Sequence, residues 1–316
     1  MSARALRVAI MSDETGWHTS RLKKALRERG AQGRCVDLAD CRFDTSGSPH
    51  GLVIPGFGHG LPDAVIVRGI AGGTFEQVTV RLGILHALRE LGVPVYNDAR
   101  AIERSVDKSM TTFLLHQAGI PSPPTWVSES KPHARRTVMR ETAAGHRVVL
   151  KPLFGSQGKG LMQLGANAQG CTPLPELKAY GELAYLQRFI EPVASPGFDW
   201  RVLVVGGKAV TAMRRVSEHW IHNVAQGARC EAAALTAPLA HLAERASAAL
   251  GLDYAGIDLI PCDDTPEGAQ VIEVNGVAAW RGLQTVTKFD IARCIVDDLF
   301  TRKLGLCVTP GRAEVA

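Results

Sequence analysis

In the stretch Gln270–Gly282, QVIEVNGVAAWRG, Glu273 and Asn275 stand two residues apart in an otherwise apolar run. An unpaired charge in an apolar interior is costly, so a buried strand carrying such groups must offer them a partner. The preceding run YAGIDLIP brings Asp258 into a hairpin with this one across the turn-forming CDDTPEG. With Asp258 opposite Glu273, Ile260 falls opposite Val271 and the turn centres on Thr265 and Pro266. Asp258, Glu273 and Asn275 then project from one face, because strand side chains repeat every two residues. Three oxygen ligands, two of them anionic, suit a hard cation such as Mg2+. Solvated residues at a strand end are the alternative, but that leaves two carboxylates close together without compensation. Gly276 is expected to let the backbone turn away from the site.

A second candidate is LKPLFGSQGKG, Leu150 to Gly160. A strand delivers Lys151, and Gly155, Gly158 and Gly160 permit a loop whose backbone amides can turn toward phosphate oxygens. No GK[ST] closes the loop, so it is not a Walker A motif. A glycine-rich turn without a ligand stands level with the phosphate reading until Lys151 is counted. A lysine at the end of an apolar strand wants an anionic partner. Lys108 lies on a helix that also offers Met110, Phe113 and Leu114 to a core. YLQRFI sets Gln187, Arg188, Phe189 and Ile190 on a short strand whose backbone groups can read a base edge. Packing of Leu186 and Phe189 in a core is the plainer alternative. Arg201 and Arg215 fall on neighbouring strands, with Asn223 beyond them; arginines so placed can clamp phosphates or carboxylates, and plain surface charge is the alternative for either one.

The elements that carry these residues alternate at first between strand and helix. LRVAIMS, DAVIVRG and VPVYN read as strands, and TSRLKKALRERG and FEQVTVRLGILHALRELG as helices, the first with a glycine stop at Gly30. Such alternation argues for a parallel sheet with helical crossovers. MSDETG after the first strand is no GxGxxG turn, which counts against a dinucleotide-dependent oxidoreductase. A helix is expected from Ala99 to Gln117, ended by the glycine and prolines of AGIPSPPTWV. Further on, the pattern turns to strands and hairpins, with DWRVLVV and KAVTAMRR joined at Gly206–Gly207. An amphipathic helix lies in APLAHLAERASAALGL and a last helix in TKFDIARCIVDDLFTRKLG.

The 316 residues are 46% hydrophobic and 21% charged, an ordinary soluble composition, and exceed what one compact core usually organises. The net charge of +5 is scattered along the chain rather than clustered, which fits anionic small molecules and not nucleic acid. Seven cysteines form no CxxC pair and no zinc-ligand spacing, so reduced thiols are expected. The N-terminal stretch lacks the apolar segment of a signal peptide, and no apolar run has the length of a membrane span. A soluble, cytoplasmic protein is the expectation.

The order of these pieces is helix lysine, strand lysine with glycine loop, hinge strand, arginine pair, then Asp and Glu-x-Asn. In that order the chain resembles the ATP-grasp fold, and within it the RimK-like glutamate ligases. The resemblance spans nearly the whole chain and is sharpest in DKSMTTFLLHQAGIPSPPTW, VVLKPLFGSQGKGL, DWRVLVVGGKAVTAMRR, YAGIDLI and VIEVN. It implies an α/β protein with an N-terminal parallel subdomain (1–97). Two α+β subdomains, 98–190 and 191–316, would clasp ATP between them. It implies that Lys108 and Lys151 contact the phosphates of ATP, and that the loop of Gly155, Ser156, Gln157, Gly158 and Gly160 closes over them. Gln187, Arg188, Phe189 and Ile190 would flank the adenine and ribose, and Asp199 and Asn223 match further nucleotide-side positions. Arg201 and Arg215 would serve the transferred phosphoryl group, and Asp258, Glu273 and Asn275 would hold Mg2+, with Mn2+ as an alternative ion. In this family ATP phosphorylates a carboxylate, and an amine, commonly that of L-glutamate, attacks the acyl phosphate to form an amide.

The chain departs from the pattern in three places. Ile221 stands where an arginine is common two positions before Asn223, Arg188 stands where the hinge usually presents an acid, and GVAAWRG replaces small residues with Pro-Gly. Trp280 and Arg281 are therefore the first candidates for judging the acceptor. TFEQVTVRLGILHALRELGVPVYNDARAIERSVDKSMTTFLL and AWRGLQTVT are similar to a branch found beside tetrahydromethanopterin-dependent genes in methylotrophic bacteria, which points to a pterin with a carboxylated tail. Ligation to a peptide or protein terminus is the alternative acceptor, and a nucleotide-binding protein without catalysis the alternative class. A homo-oligomer is left open.

Overall fold

The structure is a computed structural model, and it describes residues 4–155, 157–167 and 170–307. Three sheets carry the architecture. The first is parallel, with strand order Gln32–Val36, Arg7–Met11, Ala64–Val67, Val95–Tyr96. Its two central strands are buried on both faces, which is why they read as continuous apolar runs rather than alternating ones. Helix Trp17–Glu28 packs Leu22, Ala25 and Leu26 against it, and helix Phe75–Glu90 starts at a capping box of Thr74 and Gln77.

The second sheet is antiparallel, in the order Gly170–Thr172, Met162–Asn167, Val148–Lys151, Ala184–Arg188, Thr125–Ser128, and helix Lys131–Ala143 covers it. The third is also antiparallel, in the order Arg229–Ala233, Lys208–Ser217, Gly197–Val205, Tyr254–Pro261, Ala269–Asn275. Helix Ala237–Leu250 lies on it, with Leu242, Ala243, Ala246 and Leu250 fully buried. Among the described residues no helix is long and apolar enough to cross a membrane.

The first and third sheets share one core, in which Ile10, Leu22 and Tyr96 meet Leu203, Tyr254 and Trp280. Helix Ile291–Asp298 closes this seam against helix Trp17–Glu28, where Arg29 and Asp297 form a bidentate ion pair at 2.6 and 2.7 Å. Asn97, fully buried, ties the seam from within. Its Oδ1 accepts the N–H groups of Asp253 (2.5 Å) and Tyr254 (3.0 Å), and its Nδ2 donates to the carbonyls of Tyr254 (2.7 Å) and Gly276 (2.6 Å).

Three local expectations fail. The helix expected over Ala99–Gln117 is two helices, Ala99–Val106 and Lys108–Gln117, because the Asp107 carboxylate caps the second by accepting from Ser109 and Met110 N–H. That second helix buries Thr111 and Leu115, leaving Met110 and Phe113 exposed. In the hairpin Asp258 faces Glu273 as expected, but Leu259, not Ile260, faces Val271, because a β-bulge takes up Ile272. Gly276 opens the turn that follows this strand, as expected, and also packs closely: a Cβ there would lie 2.5 Å from Ser105 Oγ and 2.8 Å from Leu252.

Replacing Asn97 with Leu keeps the volume but strands four backbone groups in the seam. The expected loss is about 3 kcal/mol or more, since each orphaned buried group costs roughly 1–3 kcal/mol. Urea unfolding with an unchanged midpoint would exclude the tie.

Candidate active site

Strand register sets the floor of the site. Asp199 lies across from Arg215, Arg201 across from Asp258, and Asp258 across from Glu273. With Asp199 and Arg201 two residues apart, all five side chains share one face of the third sheet. Arg215 donates to both oxygens of Asp199 (2.7 and 2.6 Å) and to Asp258 Oδ2 (2.9 Å). Arg201 grips Asp258 through Nε and, at 2.8 Å, through Nη2. The side chains of Arg215, Asp199 and Asp258 are at most 4% exposed, so this is a closed, buried network of two cations and two anions. Burial pushes the Asp258 carboxyl up, but Arg201 and Arg215 more than offset it and hold it below the ordinary carboxylate range. Glu273, on the neighbouring strand, lies outside the network with its side chain 27% exposed. Asn275 sits behind it, its amide 3.4 Å from Glu273 Oε2 and 3.4 Å from Gly256 O.

Two lysines face this floor. Lys151, at the end of its strand, donates to Gln187 Oε1 at 2.6 Å, and Gln187 in turn donates to Thr125 Oγ1 at 3.2 Å. Burial, reinforced by the nearby Lys108 cation, pulls the Lys151 pKa down to about 8, while Glu273 and Asp258 pull the other way. Lys108 opens its helix and donates to the carbonyl of Gly155 (2.8 Å), with Glu273 Oε1 3.7 Å away. The glycine loop is docked across the cleft. Gln226 Nε2 donates to Gln157 O at 3.1 Å, and Gly158 (φ +71°) packs so tightly that a Cβ would come within 2.7 Å of Asn223 Oδ1 and Ile221. Ser156 lies outside the described residues.

The structure thus brings Lys108, Lys151, Gly155, Gly158, Gln187, Arg188, Phe189, Ile190, Asp199, Arg215, Asn223, Asp258 and Glu273 to one cleft. Gln157, Gly160, Arg201 and Asn275 do not line it, although Arg201 is bonded to Asp258, which does. Two titratable cleft residues were not foreseen. Lys159 stands between Gly158 and Gly160, and His222 is buried with its Nε2 unpartnered, its pKa pulled down to about 4 by burial and by Arg215. A lysine inside the glycine motif was a visible signal; His222 had none.

Other expectations are corrected. The backbone N–H groups of Arg188 and Phe189 donate to Pro124 O and Arg147 O, so a base edge would fall to other backbone groups of the segment Gln187–Ile190. The strand ends at Arg188, whose guanidinium is held by Glu141 Oε2 at 3.0 and 2.7 Å. Phe189 stacks under Arg147 (4.4 Å) and edge-on to Trp220 (5.9 Å). Trp280 does not face the cleft: it is fully buried in the seam, 4.7 Å from the His18 ring and 4.6 Å from the Arg68 guanidinium. A large indole gains more from that core than from an exposed site wall. Arg281 is exposed and opens an unforeseen short helix, Arg281–Val286, beside a different groove.

With this geometry in hand, the comparisons with known proteins are decisive. Residues 6–102 match the RimK PreATP-grasp domain and residues 105–299 the RimK-like ATP-grasp domain. The chain belongs to the RimK-like ATP-grasp family. Among family relatives, the tetrahydromethanopterin:alpha-L-glutamate ligase of Methanococcus maripaludis is 31% identical over 312 residues, covering 93% of this chain and 97% of that protein. A protein of the same name from Methanocaldococcus jannaschii is 34% identical over 241 residues, covering 75% of this chain and 79% of its own. A probable alpha-L-glutamate ligase of Halorhodospira halophila is 30% identical over 311 residues, covering 97% of this chain and 99% of its own. The fold matches the ATP-grasp ligase PsnB complexed with minimal precursor, Mg and ADP (TM-score 0.68, 21% identity, 93% of this chain and 97% of that chain). It also matches a RimK domain protein from Sphaerobacter thermophilus (TM-score 0.65, 23% identity, 92% and 98%).

Two outcomes follow from the electrostatics of this ATP-grasp cleft. Asp258→Asn leaves two arginines short of an anion, and removing one partner of a buried pair costs about 3–5 kcal/mol, to be read by chemical denaturation. An unchanged unfolding midpoint would mean that the arginines are neutralised elsewhere. Lys151 must carry its proton to hold an anion. With ADP as probe, affinity is expected to be flat below about pH 8 and to fall by up to about tenfold per unit above it, until the pKa of the complex is passed. Lys151→Arg stays charged and should remove that break; identical profiles for the two proteins would refute the role.

Proposed function

We propose that this ATP-grasp ligase joins L-glutamate to a carboxylate on a tetrahydromethanopterin-type pterin, using ATP and Mg2+. One observation carries the reading: Lys108, Lys151 and Arg215 converge with Asp258 and Glu273 beneath a docked glycine loop. The relatives named for glutamate ligation to tetrahydromethanopterin, alignable over 93% of the chain in the first case, support the substrates.

Asp258 and Glu273, opposed across the hairpin, and the amide oxygen of Asn275 form a donor set that fits a hard cation. Among the described residues no three carboxylate, thiolate or imidazole groups converge on one point, so ligand oxygens would complete the shell. Mg2+ bound there supplies charge neutralisation for the transferred phosphoryl group. The chain's own residues do the rest. Lys151, steered by Gln187, and Lys108, at a helix start, hold the phosphates. Arg215 is fixed by two aspartates, so it needs no rearrangement as charge develops. The acceptor carboxylate oxygen attacks the γ-phosphorus and ADP leaves. The glutamate nitrogen then attacks the acyl carbon, phosphate departs, and the nitrogen loses a proton as the amide forms. The loop of Gly155 to Gly160 keeps water from the acyl phosphate. Phe189, Trp220 and Ile260 give the cleft an apolar wall suited to a base.

ADP release is expected to require both tetrahydromethanopterin and L-glutamate, with a product heavier by one glutamyl residue in mass spectrometry. Turnover with peptide acceptors alone would sink the proposal. Glu273→Gln, outside the buried network, should retain its circular dichroism spectrum and lose about 100-fold or more in kcat, the scale of removing one preorganised electrostatic contact.

A further inference from the structure

A second groove lies at the carboxyl ends of the parallel strands, where open α/β sheets commonly receive ligands. Strand Arg7–Met11 runs out into Ser12–Thr19, strand Ala64–Val67 ends at Arg68, and Arg281 faces them across the gap. Arg68 is half-buried, yet its hydrogen bonds go to neutral oxygens: Nη1 donates to Ala278 O (2.7 Å) and to Tyr254 Oη (3.2 Å). Its Nε is buried without a partner. Among the described residues, neither Arg68 nor Arg281 has a carboxylate within ion-pair distance. A guanidinium partly withdrawn from water and lacking an ion-pair partner is unfavourable, so each of the two arginines can still take up an anion.

His18 lines the same groove. Its Nε2 accepts the N–H of Trp280 at 3.1 Å, which leaves the ring proton on Nδ1. Burial, then Arg68 and Arg281, push its pKa down to about 4, so it remains a neutral donor. Helix Trp17–Glu28 begins here at Gly16, which has no side chain to cap the first-turn N–H groups. Asp13 and Glu14 stand on the exposed rim, where water and salt weaken their repulsion of an anion. The groove adjoins the cleft through its rear wall. Ala278, bonded to Arg68, and Arg201, bonded to Asp258, both crowd Gly256, and the strand bearing Glu273 and Asn275 runs directly into Ala278 and Trp280.

We infer that Arg68, Arg281 and His18 form a carboxylate-binding subsite that holds the anionic end of one of the two reactants beside the ligation cleft. The inference rests on the ligase reading above for which reactant that is, but not for the subsite itself. Two sources share the chemistry, the carboxylated tail of the acceptor and the side-chain or α-carboxylate of glutamate.

The test begins with glutarate titrated into the full chain by calorimetry, with glutaramide as its neutral counterpart. Glutarate is expected to bind and glutaramide not. Arg281→Ala, an exposed change, should weaken glutarate about tenfold, the scale of one charge-assisted contact, and leave ADP affinity unaltered. Arg68→Gln should do the same where it folds, and Arg281→Ala decides the matter where it does not. In turnover, a KM raised about tenfold for tetrahydromethanopterin alone assigns the subsite to the acceptor tail, and for L-glutamate alone to the incoming amino acid. Equal glutarate affinity in wild type and Arg281→Ala, equal binding of glutaramide, or unchanged KM for both reactants would overturn the subsite. Failure of tetrahydromethanopterin as a substrate, with glutarate binding intact, would overturn the pterin reading and leave the subsite standing.

Discussion

The buried quartet of Arg201, Asp258, Arg215 and Asp199 constrains everything around it. Four charges withdrawn from water persist only while each meets its partners, so the register of three strands cannot slip without exposing one of them. That rigidity has a functional side. Arg215 and Asp258 present fixed charges to the cleft, and the groups outside the quartet also keep room to engage a ligand. Lys151 rests on a neutral amide, Lys108 on carbonyls, and Glu273 is partly open to solvent.

The seam between the first and third sheets is a second constraint. Asn97 and Tyr96 meet Asp253 and Tyr254, and His18 meets Trp280, contacts between residues more than 150 positions apart in sequence. The strand carrying Glu273 and Asn275 ends at this seam, where Gly276 packs on Ser105 and Leu252 and lends its carbonyl to Asn97. A rearrangement of the first sheet therefore reaches the cleft within a few residues. By contrast, among the described residues the bonds that hold the glycine loop across the cleft are chiefly Gln226 to Gln157 and Lys108 to Gly155, as suits an element expected to close.

The cation at position 188 is answered locally. Glu141, buried on helix Lys131–Ala143, takes the Arg188 guanidinium, and Arg147 above Phe189 is bonded to Glu191. The cation at the hinge is neutralised by protein before any ligand arrives, so its presence need not repel or attract a nucleotide.

Much of this was legible before any coordinates. Alternation placed Asp258, Glu273, Arg201 and Arg215 on strands. The spacing of Gly155, Gly158 and Gly160 marked a loop, and the order of motifs along the chain named the family. These are local properties, set by side-chain period and backbone freedom within a few residues. The rest depended on partners distant in sequence. Trp280 reads along the chain as a site residue, but the N-terminal helix and Arg68 enclose it, and Glu141, the partner of Arg188, lies 47 residues earlier. The bulge at Ile272 shifted one pairing that strict alternation had set, and Asp107 broke a helix that periodicity had drawn unbroken. Burial and ion pairing are decided by which surfaces meet, and a pattern along one strand carries no information about the surface that will cover it.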